Sequence, residues 1–585
     1  MLSSNALNST KNTLKALMPS WMLNYETDWL YGDLVAGIIV TIMLIPQSLA
    51  YALIAGLPAE VGLYASILPL VAYALFGSSM TLAVGPVAVA SLMTASALVP
   101  LAVAGTELYV TLAIQLAFLS GVLYLILGFL RLGFLAHLLS HPVVSGFISG
   151  SAILIAIGQL KHILGVNIAH LNVVETVMAL WNELPQTNSA TLMIGVGTIA
   201  FLYFSKTLLP NFLRLVGLKK KTAEMASKLA PMLVVIASII LVTQLDLHAN
   251  NGVNIVGYVP SGIPDIDYTL PSINMLQSLW LPALLISVVG FVESVSVGQS
   301  LAIKKQQKIN LNRELYGLGA ANVASAFSGG YPVTGGFSRS VVNFSAGANT
   351  PLAGVISAAL MMLVLIGFTD SFSNLPQAVL SGTIIVAVLG LADFSVLKET
   401  WPFDKADAAA FMLTFLGLLV LGVEKGILIG VVFSLGSYFW RASHPHIAVV
   451  GRIAGTEHFR NVERHQVETD SKVLTLRVDE SLFFGNVQEV EDIIHTKIAS
   501  NPALTDILLI MSAVNRVDST ALMVLNDINR SLGLVNKKLH LAEVKGPVLD
   551  TLKHTDFFKA LTGKCFLSGH DAYNELTTVI TSKTN

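Results

Sequence analysis

Three clusters of residues in this chain have types and spacings suited to holding an anion inside an apolar body. The first is FSRS at 337–340, set among glycines in FSGGYPVTGGFSRSVVNFS (327–345). If a helix begins near Thr334–Gly336, Ser338 and Arg339 fall in its first turn. Unpaired backbone N–H groups and the positive dipole end favour an anion there. Arg339 adds a permanent charge and a planar fork shaped for an oxyanion. An arginine merely snorkelling to the interface would need neither those glycines nor Ser338. The second cluster is the Gly85-Pro86-Val87 break in TLAVGPVAVAS (81–91), which offers a matching helix start. The third is Gln47 and Tyr51, four apart and so on one helical face. They follow Pro46, whose ring interrupts the local hydrogen-bond ladder. An amide and a phenol can donate to an oxyanion, although such a pair also serves as interhelical glue.

Against these stands Glu293, in GFVESVSVGQSLA (290–302), after about fourteen mostly apolar residues. An intramembrane carboxylate is a functional candidate by default. Beside an anion it repels the substrate unless it carries a proton, so Glu293 is read as the proton-coupling group. Two other readings compete: a structural ion pair with Arg339, and a sodium site. Sodium wants further oxygen ligands, and Val297, one turn on, offers none, though Ser294 and Ser296 could help.

The elements that must position these groups follow from composition. The 585 residues are 54% hydrophobic and only 12% charged, about half the charge density of a soluble protein, with a mean hydropathy of +0.70. This is an integral membrane protein. Basic and acidic side chains nearly cancel, 34 against 36, so nothing points to nucleic acid. The single cysteine, Cys565, excludes an intramolecular disulfide framework and a cysteine metal cluster. No cleavable signal is evident in the first residues. No G-x-x-x-x-G-K-[ST] occurs, which argues against an ATP-driven pump. No cofactor is expected.

Apolar segments of spanning length recur near 34–53, 61–77, 82–99, 108–130, 143–160, 190–205, 229–245, 276–301, 314–329, 333–346, 351–369, 375–392, 407–422 and 426–440. Basic residues concentrate in every second connection: Lys11 and Lys15; Arg131; Lys206, Arg214, Lys219, Lys220, Lys221 and Lys228; Lys304, Lys305, Lys308 and Arg313; Lys398 and Lys405; Arg441. The alternate connections hold only Lys161 and Lys425, with acids such as Asp265 and Asp267. This positive-inside pattern predicts an even number of spans with both ends cytoplasmic. The tetrapeptide QSLA occurs at 47–50 and again at 299–302, followed at similar distances by GPV (85–87) and YPV (331–333). The recurrence predicts a duplication whose odd number of spans inverts the second copy. After about residue 443 strands and helices alternate: VLTLRVDESLFFGN, VQEVEDIIHTKIASN, DILLIMSAV, TALMVLNDINRSLGLVNKK and KLHLAEV. They predict a small cytoplasmic α/β domain.

DLVAGIIVTIMLIPQSLAYALIAGLPAEVGLYAS (33–66), GFVES, GGFSRSVVNFSAGANTPLAG and the C-terminal domain together resemble the sulfate permease (SulP) family with its STAS domain. The resemblance implies an α-helical polytopic fold of fourteen segments, in two inverted repeats of seven (about 31–250 and 274–442). These form uracil-permease-like core and gate domains within a transmembrane domain at 31–442. It also implies a cytoplasmic N-terminal segment (1–30), an α/β STAS domain at 446–582, an elevator motion of core against gate, and a homodimer. The family's anion contacts fall on Gln47, Tyr51, Gly85, Pro86, Val87, Ser338 and Arg339, and its coupling carboxylate on Glu293. Sodium-coupled bicarbonate relatives carry a hydroxyl where this chain has Val297. In the STAS domain, Ser519 or Thr520 of VDSTAL falls near a phosphorylatable serine of anti-sigma antagonists. The residues themselves fit a loop and helix-cap role at Asp518-Ser519.

The expected function is secondary active transport of an inorganic anion, without enzyme activity. The reading adopted is proton-coupled sulfate symport in a bacterial inner membrane. The STAS domain is expected to be a folding, assembly or regulatory module that can receive a protein partner. The residues leave open sodium-coupled bicarbonate or dicarboxylate symport, chloride/bicarbonate exchange, an anion channel, or a membrane-anchored sensor.

Overall fold

The computed structural model describes residues 19–582 except 138–139, 169–172, 216, 218–222, 224–226, 228 and 263–272. Lys11, Lys15, Lys219, Lys220, Lys221, Lys228, Asp265 and Asp267 lie outside the described residues. Two compact units are present, one ending at Ser434 and the other beginning at Leu435.

Among the described residues helical segments stand at all fourteen apolar stretches, thirteen within the first unit and the last continuing past its end. They are α1 (Trp29–Ile54), α2 (Ala59–Phe76, interrupted at 65–67), α3 (Ala88–Leu98), α4 (Glu107–Phe129), α5 (His141–Leu164), α6 (Ser189–Thr207), α7 (Ala230–Leu245), α8 (Ile273–Lys304), α9 (Leu311–Phe327), α10 (Phe337–Ala346), α11 (Leu352–Gly367), α12 (Gln377–Leu389), α13 (Lys405–Leu421) and α14 (Val423–Ser443). Among the described residues seven helices are long and apolar enough to cross a membrane by themselves. α3 and α10 are half-helices of 11 and 10 residues. At about 1.5 Å per residue they reach roughly halfway through a ~30 Å hydrocarbon layer.

The packing has an approximate two-fold pattern. α1 packs on α10 and α11 as α8 packs on α3 and α4, and α5 packs on α13 as α12 packs on α6. One group therefore comprises α1–α4 with α8–α11, and another gathers α5, α6, α12 and α13. The symmetry is most direct at the two breaks. There β1 (Val84–Gly85) pairs antiparallel with β2 (Thr334–Gly335), Val84 opposite Gly335 and Gly85 opposite Thr334. A two-fold axis in the membrane plane produces this antiparallel meeting. Extended backbone at this depth needs every polar group paired, and the neighbours provide partners. Gly336 N–H donates to the Ala83 carbonyl at 3.1 Å. Ala83 N–H donates to Ser340 Oγ at 2.9 Å, and Gly335 N–H to Ser294 Oγ at 2.8 Å.

One point differs from the sequence reading. The letters GPV and YPV are not counterparts. By helix starts, Gly85-Pro86-Val87 corresponds to Thr334-Gly335-Gly336, and Tyr331–Val333 lies just before β2. α1 runs through Pro46 as one helix of 26 residues, the interruption staying local to the ladder.

Two fully buried carboxylates pin loops within the first group. Asp33, near the start of α1, accepts from Asn349 N (2.6 Å), Thr350 N (3.0 Å), Thr350 Oγ1 (2.7 Å) and Tyr25 Oη (3.3 Å). Glu314 on α9 accepts from Tyr73 Oη (2.6 Å), Ser78 N (2.9 Å), Ser78 Oγ (2.5 Å) and Ser79 N (2.9 Å). Each carboxylate is repaid for burial by several donors.

The second unit is an α/β domain with one six-stranded sheet. In chain order its strands are β3 (Ile447–Arg452), β4 (Phe459–Asn461), β5 (Val473–Val478), β6 (Asp506–Ile510), β7 (Lys538–Ala542) and β8 (Cys565–Phe566). Their spatial order is β4-β3-β5-β6-β7-β8, parallel from β5 to β8. Leu474, Leu476, Ile507, Leu509, Leu539 and Leu541 form the heart of its core with α15 (Val487–Ser500) and α16 (Ser519–Leu534).

Candidate functional site

The N-termini of α3 and α10 meet on either side of the β1–β2 pair. The first intrahelical bonds run from Ser91 N–H to the Val87 carbonyl and from Ser340 N–H to the Gly336 carbonyl. Within each first turn, three backbone N–H groups precede that bond and have no intrahelical acceptor. A cleft of about 430 Å³, its open mouth included, lies here, lined by Gln47 and Tyr51 of α1, Val87 to Val89, Glu293 of α8, Gly336 to Arg339, and Ala387 and Leu391. The structure thus brings Gln47, Tyr51, Val87, Glu293, Ser338 and Arg339 to one place. Gly85 and Pro86 do not line it but support it from behind.

Arg339 shows how. It is 2% exposed, and its Nη1 donates to the Pro86 carbonyl at 2.5 Å. Nε and Nη2 meet no hydrogen-bond partner among the described residues. A Cβ added at Gly85 would lie 3.3 Å from Nη2, and one at Gly336 only 2.9 Å from it. Glycine at both positions lets the guanidinium lie against both breaks. Buried arginine donors almost always find acceptors, so two open ones beside two helix N-termini are suited to an oxyanion.

Glu293 is half-buried and, among the described residues, forms no ion pair within 4.0 Å with Arg339. The structural-pair reading is therefore not realised. Glu293 also borders a second, apolar crevice between Val89, Val289 and Val292 on one side and Val143, Phe147 and Ile427 on the other. The serines suggested as sodium ligands are engaged elsewhere. Ser294 Oγ donates to Gly290 O (2.6 Å) while accepting from Gly335 N. Ser296 Oγ donates to Val292 O (2.7 Å). Val297 is buried.

Sequence reasoning missed Asp33 and Glu314, whose partners, apart from Tyr25 beside Asp33, lie 235 to 317 positions away. It also missed Tyr331, whose hydroxyl meets Ser91 Oγ at 2.9 Å across the two repeats. In the second unit, Ser519 and Thr520 are exposed in the first turn of α16. Asp518 caps that helix, accepting from Ala521 N at 2.7 Å and from Phe484 N at 2.9 Å.

Residues 30–414 match the sulfate permease family, and residues 464–572 the STAS domain. The chain belongs to the sulfate permease family. Sulfate transporter 4.1, chloroplastic, of Arabidopsis thaliana is 34% identical over 564 residues, covering 92% of this chain and 80% of that protein. Sulfate transporter 1.2 of the same plant is 32% identical, covering 94% and 86%. The structure of the murine Slc26a9 anion transporter in the inward-facing state superposes with a TM-score of 0.89 at 23% identity, covering 98% of this chain and 95% of that one. The transmembrane domain of the cyanobacterial bicarbonate transporter BicA gives 0.58 at 24%, covering 70% and 98%. This member of the family is a multi-pass membrane protein carrying a STAS domain, a transporter of inorganic anions and not an enzyme.

Proposed function

We propose that this chain is a proton-coupled sulfate symporter working by an elevator motion. The observation that carries the reading is the buried Arg339 guanidinium, with two open donors, sharing a cleft with an unpaired Glu293. The sulfate is held by Arg339, Ser338, the α3 and α10 N-termini, Gln47 and Tyr51. An ionised Glu293 beside a dianion would leave one guanidinium to balance both, so the carboxyl takes a proton as the anion enters. The names of the plant relatives favour sulfate. Val297, buried one turn after Glu293 and without a ligating oxygen, argues against sodium. A dimer, a regulatory partner at the STAS domain and a cytoplasmic location for both ends belong to the same reading. So does a bacterial inner membrane, to which the plant relatives lend no support.

Radiolabelled sulfate and bicarbonate uptake into proteoliposomes under imposed proton or sodium gradients tests it. Sulfate accumulation that follows the pH gradient alone is expected. Sodium-driven bicarbonate uptake without sulfate accumulation would overturn it.

A further inference from the structure

Three elements converge at Gly290, one helical turn before Glu293. A Cβ there would sit 2.3 Å from Thr334 Cγ2 and 2.7 Å from the Tyr124 hydroxyl oxygen. Only glycine lets a side chain from α4 and another from β2 approach the α8 backbone so closely. Tyr124 is 0% and Thr334 1% exposed, and neither hydroxyl meets a hydrogen-bond partner among the described residues. Both stand outside the anion cleft and the apolar crevice. A buried hydroxyl without a partner destabilises a fold relative to the apolar residue of the same shape. Phenylalanine at 124 and valine at 334 would therefore pack more favourably, unless the hydroxyls serve a group that reaches them in part of the cycle.

Glu293 is that group by position. It follows Gly290 by three residues on α8, so both lie on one face, and it stands within electrostatic reach of Tyr124. Among the described residues the other ionisable groups facing it are Tyr51 from α1 and Arg339 from α10. α3 brings none. On α9, Glu314 is bound to Tyr73 and Ser78, and Arg313 to the Phe76 carbonyl.

We propose that the Tyr124 and Thr334 hydroxyls form a buried hydrogen-bonding site for the Glu293 carboxyl, and thereby set the pH at which it loads the coupling proton. The contact is direct or bridged by one water. The inference rests on the symport reading. Tyr124 is a positioning residue and keeps its own proton. Glu293 gains a proton from water on one side of the membrane, forming its carboxyl O–H bond, and returns that proton to water on the other.

The test is sulfate uptake against external pH in proteoliposomes, with sulfate–sulfate exchange and thermal midpoint measured on the same protein. A phenol donor favours the charged carboxylate. Tyr124→Phe should therefore move the midpoint of the pH profile upward by about one unit, with exchange retained. Thr334→Val should move it in the same direction by less, and serves as the readout if Tyr124→Phe does not fold. A raised thermal midpoint with an unmoved pH profile would identify the hydroxyls as packing orphans and overturn the inference. Glu293→Gln separates the two claims. If it retains proton-driven uptake, the symport reading fails. If it loses that uptake while Tyr124→Phe and Thr334→Val leave the profile in place, only this inference fails.

Discussion

The half-helices α3 and α10 share a backbone and differ in what it carries. Aligned at their caps, Val87 and Gly336, both place a serine at the fourth helical position, and each serine reaches across to the other repeat. Ser91 meets the Tyr331 hydroxyl, and Ser340 accepts from Ala83 N. In between, α3 has Val89 and Ala90 where α10 has Ser338 and Arg339. Duplication thus supplies two helix ends, and chemistry was added to one. Helix ends alone attract an anion weakly. One guanidinium strengthens that attraction, and a second would oppose release, since transport needs a site that also lets go.

This asymmetry can be broken most severely at Arg339. Arg339→Gln should reduce sulfate uptake by about a hundredfold or more, because charge and open donors are lost together; near-normal uptake would mean that the helix ends suffice. Next is Glu293→Gln, expected to abolish accumulation driven by a pH gradient while sulfate exchange persists. The glycines compare the two breaks directly. Gly336→Ala brings a Cβ to 2.9 Å from Nη2 and should weaken apparent sulfate affinity about tenfold by displacing the guanidinium. Gly85→Ala, at 3.3 Å, should do less; equal effects would show that Arg339 leans on both breaks alike. Smallest is the serine pair. Ser338→Ala should cost about fivefold in affinity, the worth of one hydrogen bond, whereas Val89→Ser on the bare helix should change uptake little.

Much of this was legible because membrane solvation writes strong signals. Each helix from α1 to α14 announces itself by an apolar run, and the glycine-proline breaks mark where helix must stop. FSRS was legible as a helix start because the flanking glycines leave few other uses for its arginine. Register was harder. GPV and YPV look alike as letters, but pairing of β1 with β2 is decided by two residues a side and by Ser294 and Ser340, which hold the extended backbone from neighbouring helices. Asp33 was illegible as a structural anchor, since two of its three donors at 349 and 350 are backbone N–H groups, which any residue there carries. In the STAS domain β5, β6 and β7 followed from their apolar runs. The short β4 and β8, three and two residues long, carry too little pattern to be read.

The two anchoring carboxylates also differ in when they are satisfied during synthesis. Glu314 emerges after Tyr73, Ser78 and Ser79, so its donors already exist. Asp33 emerges 316 residues before Asn349. At roughly 5–20 residues per second that is about a quarter of a minute to a minute on the ribosome. During that interval α1 waits with an acid that has only the Tyr25 hydroxyl as a nearby donor. The nascent chain therefore has a timed vulnerability at α1, which is relieved when the α10–α11 loop arrives.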